Sequence, residues 1–391
     1  MNQEPISGML LMGIGGGGCR LAAMVQSTYG DGIRALGMDT DALSIRTASE
    51  GGLTCLLLGG SRLTGHGTGG DAIMGRLAVQ DDLPNLTAHI QGVRSVVLVT
   101  CLGSGTGGGA TPEVVKALHS QGIATLCFVT LPFAFEGENR RKAAERVLPM
   151  IEEHADSVVV LPLDDLFADT REPVLATALE AADRVLATAV TLLWRLVSTP
   201  GFIALDEERL HAMVVKGGNA RFGFASAAGP DRALRAAEML RECRTLRHGD
   251  ALSKANALLF GILAGRDLRL AEIGDLMERM RACCKKECVV EMGTVLDPDF
   301  EGRVELVALA FESWTAASLV APIPDVPAGH EPPVADSFPI RPGGRRSRSK
   351  GSKLSFGATG RGKFDQVEPT LHSGQDLDIP TFMRRGITLE R

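Results

Sequence analysis

Aromatic residues are scarce in this sequence. They make up 4% of the 391 residues, with a single tyrosine and two tryptophans. Proteins that bind single-stranded nucleic acids stack the bases on aromatic side chains and hold the phosphates with basic ones. The chain has few aromatic residues, and its formal net charge is −6. We therefore expect no specific nucleic-acid partner.

Long apolar runs are also missing. No run reaches the roughly 20 residues that span a bilayer, and the first residues lack the basic and apolar pattern of a secretion signal. These two observations predict a cytoplasmic protein that meets a membrane only indirectly.

Several familiar site motifs are absent. The eight cysteines form no paired CxxC motif, and no histidine accompanies the cluster at 283–288, so we expect no metal centre. No GxxxxGK[ST] sequence occurs, which excludes a P-loop NTPase. No GxSxG sequence occurs either, which removes the signature of a hydrolase nucleophile elbow.

Glycine, by contrast, is concentrated in short segments. In "LGSGTGGGATP" (102–112), five of the seven positions from 103 to 109 are glycine. The apolar run before it predicts a buried strand, and the segment after it predicts a helix with Thr111 as N-cap and Pro112 in the first turn. Backbone N–H groups at a helix N-terminus attract anions. We therefore predict that this segment holds phosphate, the alternative being a flexible turn.

Two further glycine-rich segments follow predicted strands, at 15–18 and 65–70. Strand and helix signals alternate through the first 130 residues, which predicts a parallel sheet with helices on both faces. Ligands bind such sheets at the carboxyl ends of the strands. We therefore expect the three segments to meet at one edge of the sheet.

A dinucleotide site is an alternative interpretation of the first segment. "GIGGGG" (13–18) fits GxGxxG, and Asp39 and Asp41 follow at about the distance of a ribose-binding acid. This pattern alone is compatible with an oxidoreductase. A glycine loop after a later strand counts against it, because a dinucleotide site does not need one.

The pattern along the chain predicts an α/β protein in five segments. An apolar, alanine-rich stretch predicts a long buried helix, and a second set of alternating strands and helices follows it. Beyond about residue 320 the chain is rich in proline and then basic, which predicts a disordered linker, before a short apolar face returns. The predicted segments are 8–172, 173–198, 199–314, 315–376 and 377–391.

Several motifs resemble those of the FtsZ family, the bacterial relatives of tubulin, and they occur in the same order along the chain. "GSGTGGG" resembles the family's signature loop GGGTG[ST]G, and "VTLPFAFEGENRR" (129–141) resembles VTxPFxFEGxxR. "GIGGGGCR", "DTDA" and "GTGGDAIMGR" resemble its phosphate loops, and "LDIPTFMRR" (377–385) resembles its C-terminal peptide. The resemblance covers essentially the whole chain.

The resemblance implies a tubulin/FtsZ-like fold: a Rossmann-like GTP-binding domain, a long central helix and a second α/β subdomain. It implies that subunits stack head to tail into a filament of bacterial cell division. GTP, with Mg²⁺, would be hydrolysed where a loop of the neighbouring subunit, the synergy loop (200–214 here), covers the bound nucleotide. The 377–385 segment would bind membrane-linked division adaptors and bring the protein to the division site.

The resemblance also implies which residues contact the nucleotide. Phosphate contacts would come from the glycine segments, and ribose and phosphate contacts from Glu136 and Arg140. The alternative for Glu136 and Arg140 is an ordinary surface ion pair at i,i+4 spacing. The implied nucleotide-binding residues are Gly16, Gly17, Gly18, Cys19, Arg20, Asp41, Thr68, Gly69, Gly105, Thr106, Gly107, Glu136, Arg140, Asp183 and Arg184.

Some positions depart from the family pattern. Cys19 or Arg20 stands where an asparagine is usual. The position of the aspartate that reads guanine falls on Arg184, with Asp183 beside it, and Leu179 replaces a base-stacking phenylalanine. The pattern therefore predicts phosphate binding more strongly than base specificity.

The synergy loop departs most from the family pattern. The family pattern NxDxxD becomes Ala204-x-Asp206-x-x-Arg209. Asp206 would orient the attacking water, and either Glu208 would supply the second carboxylate or Arg209 would stabilise charge on the neighbour's phosphate. The alternative is a noncatalytic protein that co-polymerises and in which bound nucleotide only stabilises the assembly without being hydrolysed.

Overall fold

The structure is a computed structural model. It describes residues 8–29, 32–167, 175–198, 203, 205–215, 217–315, 371–372 and 375–376. The chain divides into two units, Met1–Val326 and Pro327–Arg391, which are described separately.

The first unit is built on one ten-stranded sheet with the order β3-β2-β1-β4-β5-β6-β7-β10-β8-β9. Strands β1 to β7 are parallel, as the alternation of strand and helix signals predicts, whereas β10 runs antiparallel to both β7 and β8. The strands are β1 (Met9–Ile14), β2 (Ala35–Asp39), β3 (Thr54–Leu57), β4 (Ser95–Cys101), β5 (Ala124–Leu131), β6 (Ser157–Pro162), β7 (Gly218–Ala228), β8 (Ala257–Ala264), β9 (Val289–Leu296) and β10 (Arg303–Phe311).

The second set of strands continues the first sheet. β7 pairs with β6 in parallel over three residues, with Ser157 opposite Gly218. β10 then pairs with β7 along nine residues, from Arg303 opposite Ala228 to Phe311 opposite Ala220. The two predicted α/β regions therefore share one sheet.

Helices cover both faces of this sheet. The helices among the described residues are α1 (Gly15–Tyr29), α2 (Ala42–Glu50), α3 (Gly60–Leu63), α4 (Ala72–His89), α5 (Gly105–Ser120), α6 (Glu138–Glu152), α7 (Leu163–Phe167), α8 (Leu175–Ser198), α9 (Glu207–Val214), α10 (Arg232–Glu242), α11 (Asp250–Lys254) and α12 (Leu270–Cys283). Three short 3-10 turns lie at Ala134–Glu136, Arg244–Leu246 and Pro298–Phe300.

Alternation along the strands assigns each residue to one face. Val97 and Val99 of β4 pack with α1 and with Trp194 of the long helix α8, in one apolar cluster. Val96 and Leu98 face the opposite side and pack beneath α4, α5 and α6. A third cluster lies between the strands of the C-terminal part and helices α10 and α12. The predicted buried central helix is confirmed for the described part of α8.

The start of α5 corrects the prediction. The helix begins at Gly105 with Ser104 as N-cap, so Thr111 is not the cap. Thr111 is fully buried, and its hydroxyl donates to Oγ1 of Thr100. The glycines belong to the first turns of the helix because α4 lies too close for side chains: a Cβ on Gly109 would lie 2.0 Å from the carbonyl oxygen of Ala72.

In the second unit, two short strands, β11 (Leu371–His372) and β12 (Gln375–Asp376), pair antiparallel. They lie within the segment 315–376, which the sequence predicts to lack structure. The segment 377–391 lies outside the described residues. Within the described part of the chain, no helix is both long and apolar enough to cross a membrane.

Candidate nucleotide-binding site

An open cleft of about 380 Å³ lies at the carboxyl ends of β1, β2 and β4. As predicted, all three glycine-rich segments reach it. Part of α6 closes its outer side. The lining residues are Gly16, Asp39, Thr68, Gly70, Gly103, Ser104, Gly105, Thr106, Asn139, Arg140 and Ala143.

The N-terminus of α5 is the central element of the cleft. Gly105 and Thr106 line it, and Ser104 makes no side-chain capping bond to the first amides of the helix. Those amides carry the positive end of the helix dipole and remain available to an anion. Gly107 lies deeper, where a Cβ would approach the carbonyl oxygen of Cys101 to 2.5 Å. The helix therefore presents two of its three predicted residues to the cleft.

The glycines of α1 have two different roles. Gly16 lines the cleft beside Asp39. Gly17 and Gly18 instead allow α1 to pack on β4, because Cβ atoms there would lie 2.5 Å from Sγ of Cys101 and 2.5 Å from the carbonyl oxygen of Val99. The N-terminus of α1 thus adds a second positive helix end to the cleft.

Cys19 lies in the apolar core rather than at the cleft. Its side chain is buried, and its Sγ lies 3.7 Å from the carbonyl oxygen of Gly13. Burial raises the pKa of its thiol well above the usual value. Position 19 falls on the inward face of α1, together with Ala22, so its side chain packs in the apolar core.

Hydroxyl groups complete the part of the cleft that is predicted to hold the phosphates. Thr68 lines the cleft, as does Gly70, whereas Gly69 has a positive φ of 61° and open space around it. The hydroxyls of Thr40 and Thr106 are hydrogen bonded at 2.7 Å.

Two aspartates beside this region have different roles. Asp39 is 4% exposed, and its Oδ1 accepts from the amide of Thr40. Asp41 caps α2 by accepting from the amides of Leu43 and Ser44. The carboxylate that reaches the cleft is therefore that of Asp39 rather than the predicted Asp41.

Glu136 and Arg140 are ion paired across one helical turn. Arg140 lines the cleft. Glu136 also accepts a hydrogen bond from the amide of Phe133 at 2.9 Å, which fixes the 3-10 turn after β5. The i,i+4 ion pair given as the alternative for these two residues is therefore present, and its arginine lines the cleft.

The structure joins Arg20 to Asp183. Nε of Arg20 lies 2.6 Å from Oδ2 of Asp183, and Nη2 lies 3.2 Å from Oδ1. Arg184, at the next position of α8, is exposed. The side chain of Leu179 lies outside the described residues. Of the two adjacent predicted residues on α8, Asp183 is the one that reaches α1.

The predicted catalytic residues lie at the start of α9, and none of them is among the residues that line the cleft. Asp206 caps this helix, its Oδ1 accepting from the amide of Arg209 at 2.6 Å. Glu208 pairs with Arg94 at 2.6 Å, which lowers the pKa of its carboxyl. Arg209 pairs with Glu291 at 2.6 Å. Ala204 lies outside the described residues.

Six cleft residues are absent from the predicted nucleotide-binding residues: Asp39, Gly70, Gly103, Ser104, Asn139 and Ala143. Asn139 lies directly before Arg140, and its position in "GENRR" was the available signal. Ser104 lines the cleft as the N-cap of α5, whereas the sequence suggested that Thr111 had this role. Among the residues described, no group of three or more His, Cys, Asp or Glu side chains could hold a metal ion.

Comparison with known proteins gives consistent matches along the chain. Residues 9–170 match the model of the Tubulin/FtsZ family, GTPase domain, and residues 218–312 match that of the FtsZ family, C-terminal domain. The chain is 30% identical over 386 residues to the cell division protein FtsZ of Azotobacter vinelandii, covering 96% of this chain and 95% of that one.

Two further relatives agree. The cell division protein FtsZ of Pseudomonas putida is 32% identical over 309 residues, which cover 79% of this chain and 76% of that protein. The solved structure of an empty FtsZ dimer from M. jannaschii superposes with a TM-score of 0.73 at 27% identity, covering 77% of this chain and 87% of that one.

The fold and the cleft define a guanine-nucleotide-binding protein of the tubulin type. More narrowly, the chain belongs to the FtsZ family of cell-division GTPases. This membership replaces the alternative of a dinucleotide-dependent oxidoreductase.

Proposed function

We propose that this protein binds GTP in the cleft and hydrolyses it only when a second subunit stacks against it, head to tail. One observation carries this proposal. Helix α9 is tied to the amino end of β4 through Arg94 with Glu208 and through Ser95 with His211, while the cleft lies at the carboxyl end of the same strand.

The length of β4 sets the separation between α9 and the cleft. The strand has seven residues, Ser95–Cys101, and at about 3.3 Å per residue it spans roughly 20 Å. Asp206, the N-cap of α9, therefore lies near the end of β4 that is opposite the cleft of its own subunit. Its side chain is 66% exposed, so it is free to meet the cleft of another copy.

Such a contact joins two different surfaces of the same protein. A heterologous contact of this kind repeats indefinitely and generates an open filament. In the shared site, the amides of α1 and α5 would bind the phosphates, and Arg140 would neutralise charge. The neighbour's Asp206 would orient the attacking water.

Mg²⁺ fits the chemistry of this site. The cation prefers oxygen ligands, usually one or two carboxylates together with phosphate oxygens. Asp39 supplies a buried carboxylate at the cleft, and Thr68 and Thr106 supply hydroxyls. When bound, the ion would neutralise phosphate charge, and Asp39 would hold it in place.

Turnover measured against protein concentration tests the shared site. GTP turnover per subunit should rise steeply above the concentration at which filaments sediment. Equal turnover far below and far above assembly would contradict the proposal. Stable filaments that bind GTP without any turnover would favour the noncatalytic co-polymer instead.

Glu208 is proposed as the second carboxylate of the shared site. In the isolated subunit it is ion paired with Arg94, but both side chains are exposed, and water and salt screen such surface pairs so that they contribute little to stability. Glu208 can therefore exchange Arg94 for a water at the neighbour's phosphate with little cost.

Two variants that break the same ion pair test this role. Glu208→Gln should lower GTP turnover in filaments by about tenfold or more, whereas Arg94→Ala should leave turnover within about twofold. Turnover is measured at saturating GTP with sedimentation as the assembly control. If both variants lower turnover equally, the pair acts in stability, and Arg209 becomes the candidate for charge stabilisation.

The 377–385 segment is proposed to bind membrane-linked division adaptors and so to locate the filament at the division site. Ile379, Phe382 and Met383 have the i, i+3 and i+4 spacing in the sequence that would form one apolar face if the segment folds as a helix on a partner. The residues from 321 to 370 would reach about 40 Å as a flexible coil, which would let the segment bind while the domain remains in a filament.

Phe382→Ala should weaken adaptor binding at least tenfold and leave assembly and GTP binding unchanged. Binding of purified adaptor to full-length protein and sedimentation with GTP measure the two effects. Thr381→Ala is the matched control, because it changes a neighbouring polar residue that does not share the i, i+3, i+4 apolar spacing. A Phe382→Ala protein that no longer assembles alone would contradict the proposal.

A further inference from the structure

Three of the eight cysteines lie in one six-residue segment, "CCKKEC" (283–288), between α12 and β9. Cys283 is the last residue of α12, Cys284 follows it, and Cys288 directly precedes β9. Cys288 is 8% exposed and belongs to the apolar cluster beneath α10 and α12, and the other two side chains pack against that cluster. None of the three lines the nucleotide cleft, so the proposed function gives them no role.

A tight turn brings Cys284 and Cys288 together. The amide of Cys288 donates to the carbonyl oxygen of Lys285 at 3.1 Å, which closes a turn of four residues. The amide of Cys284 donates to the carbonyl oxygen of Arg281, also at 3.1 Å, where the helix ends. The chain therefore bends back between the two cysteines, and the thiol of Cys284 donates a hydrogen bond to the sulfur of Cys288.

Cys283 has different neighbours, although it is adjacent to Cys284. Its side chain lines an open groove of about 240 Å³ between α10 and α12, together with Arg241 and Met280. Consecutive residues of a helix point about 100° apart, so the direction of Cys283 differs from that of Cys284. The segment thus holds a pair of thiols in contact and a third thiol beside the pair.

The surrounding charges distinguish the two members of the pair. The pKa of the Cys288 thiol is lowered because Cys284 donates to its sulfur and because the positive charge of Lys285 lies nearby. The pKa of the Cys284 thiol is raised, since that hydrogen bond uses its proton and burial disfavours its charged form. The Nζ of Lys285 donates to Oδ1 of Asn256 at 3.0 Å, which holds the charge in place. Cys288 is therefore the nucleophile of the pair.

We propose that Cys284 and Cys288 are an oxidation site that hydrogen peroxide converts to a reversible disulfide. The thiolate of Cys288 attacks one peroxide oxygen, the O–O bond breaks, and hydroxide leaves with the proton that Cys288 had released, as water. The sulfur of Cys284 then attacks the resulting sulfenic acid, the S–O bond breaks, and the hydroxyl leaves with the proton of Cys284 as a second water. The two thiols lose two electrons, and the peroxide gains them.

The burial of Cys288 favours a small oxidant. At 8% exposure it is reached more easily by peroxide than by the disulfide of another protein. The new bond would join the end of α12 to the start of β9, across the exposed residues 285–287. Thiols reverse such bonds, and disulfides in reducing compartments are transient for this reason.

Tryptic mapping of the full-length protein tests the disulfide. Trypsin cleaves after Lys285 and Lys286, so the bond should leave peptides 282–285 and 287–303 joined until dithiothreitol is added. Cys283→Ser is the matched control and should retain the joined peptides. Cys284→Ser should lose them and leave Cys288 as a sulfenic acid that dimedone labels. Thermal melting of each variant establishes that it is folded.

Two exposed lysines test the role of Cys288 without altering a thiol. Lys285→Gln should slow disulfide formation about threefold or more, since each unit of increase in the pKa of Cys288 lowers its thiolate fraction about tenfold. Lys286→Gln should form the disulfide at the wild-type rate, because Lys285 rather than Lys286 is the lysine that acts on Cys288. Equal rates in the two variants would overturn the assignment of Cys288 as nucleophile. Joined peptides that persist in Cys284→Ser, or that never form in the wild-type protein while peroxide oxidises other residues, would overturn the site itself.

Discussion

Asp206→Ala should abolish GTP turnover in filaments while leaving GTP binding to the monomer unchanged. A carboxylate that orients or activates water contributes about 10²- to 10⁴-fold to rate, so turnover should fall at least 100-fold. Binding should persist because Asp206 lies at the opposite end of β4 from the cleft. Filaments formed by the variant should therefore retain GTP.

The alanine variant also removes a helix cap, and this effect has to be separated. Oδ1 of Asp206 accepts from the amide of Arg209, and loss of an N-cap costs about 0.5–2 kcal/mol. Asp206→Asn keeps the cap and removes only the charge, since asparagine caps as well as aspartate. Both variants should lose turnover, but only the alanine variant should melt at a lower temperature. Full turnover in the asparagine variant would reduce Asp206 to a structural cap.

The strands were predictable because buried parallel strands leave a simple pattern. β4 is a mostly apolar run, and so is β10 from Leu306 onward, and buried strands of an α/β sheet have this composition. The antiparallel direction of β10 was not predictable, because its apolar sequence is the same for either direction. Pairing with β7 and β8 depends on residues distant in the chain.

The beginning of α5 was misread for a local reason. Glycine disfavours helix by about 1 kcal/mol relative to alanine, so the run before Thr111 predicted a loop. Tertiary packing overrides that preference: α4 and α5 approach so closely that a Cβ on Gly75 would lie 2.4 Å from the carbonyl oxygen of Gly105. Local propensity contains no information about such a neighbour.

The cleft itself was largely predictable, whereas the partners of its charged residues were not. Glycine segments after strands indicate a phosphate site by their position alone. Arg20 and Asp183, in contrast, are 163 residues apart, and Arg209 and Glu291 are 82 residues apart. No spacing rule connects such pairs, so only the structure identifies which charges are already engaged within the subunit.

Gly105→Ala should weaken GTP binding at least tenfold. A Cβ at this position would lie 2.0 Å from Oγ1 of Thr68, 2.8 Å from the amide nitrogen of Asp71 and 2.8 Å from the carbonyl carbon of Gly70. The hydroxyl of Thr68 can rotate away, but the two backbone atoms cannot. The 68–71 segment must therefore move off the N-terminus of α5, which disrupts the phosphate side of the cleft.

The same helix provides the control. At Gly108 a Cβ would meet only Cγ2 of Val147, at 3.7 Å, so Gly108→Ala adds no clash. Alanine in a helix interior is favoured over glycine by about 1 kcal/mol, and the melting temperature of this variant should rise with GTP affinity unchanged. Gly105→Ala should instead lose about 1–3 kcal/mol of stability through overpacking. Equal GTP affinity in the two variants, measured by competition with a fluorescent analogue, would contradict the assignment of Gly105 to the phosphate site.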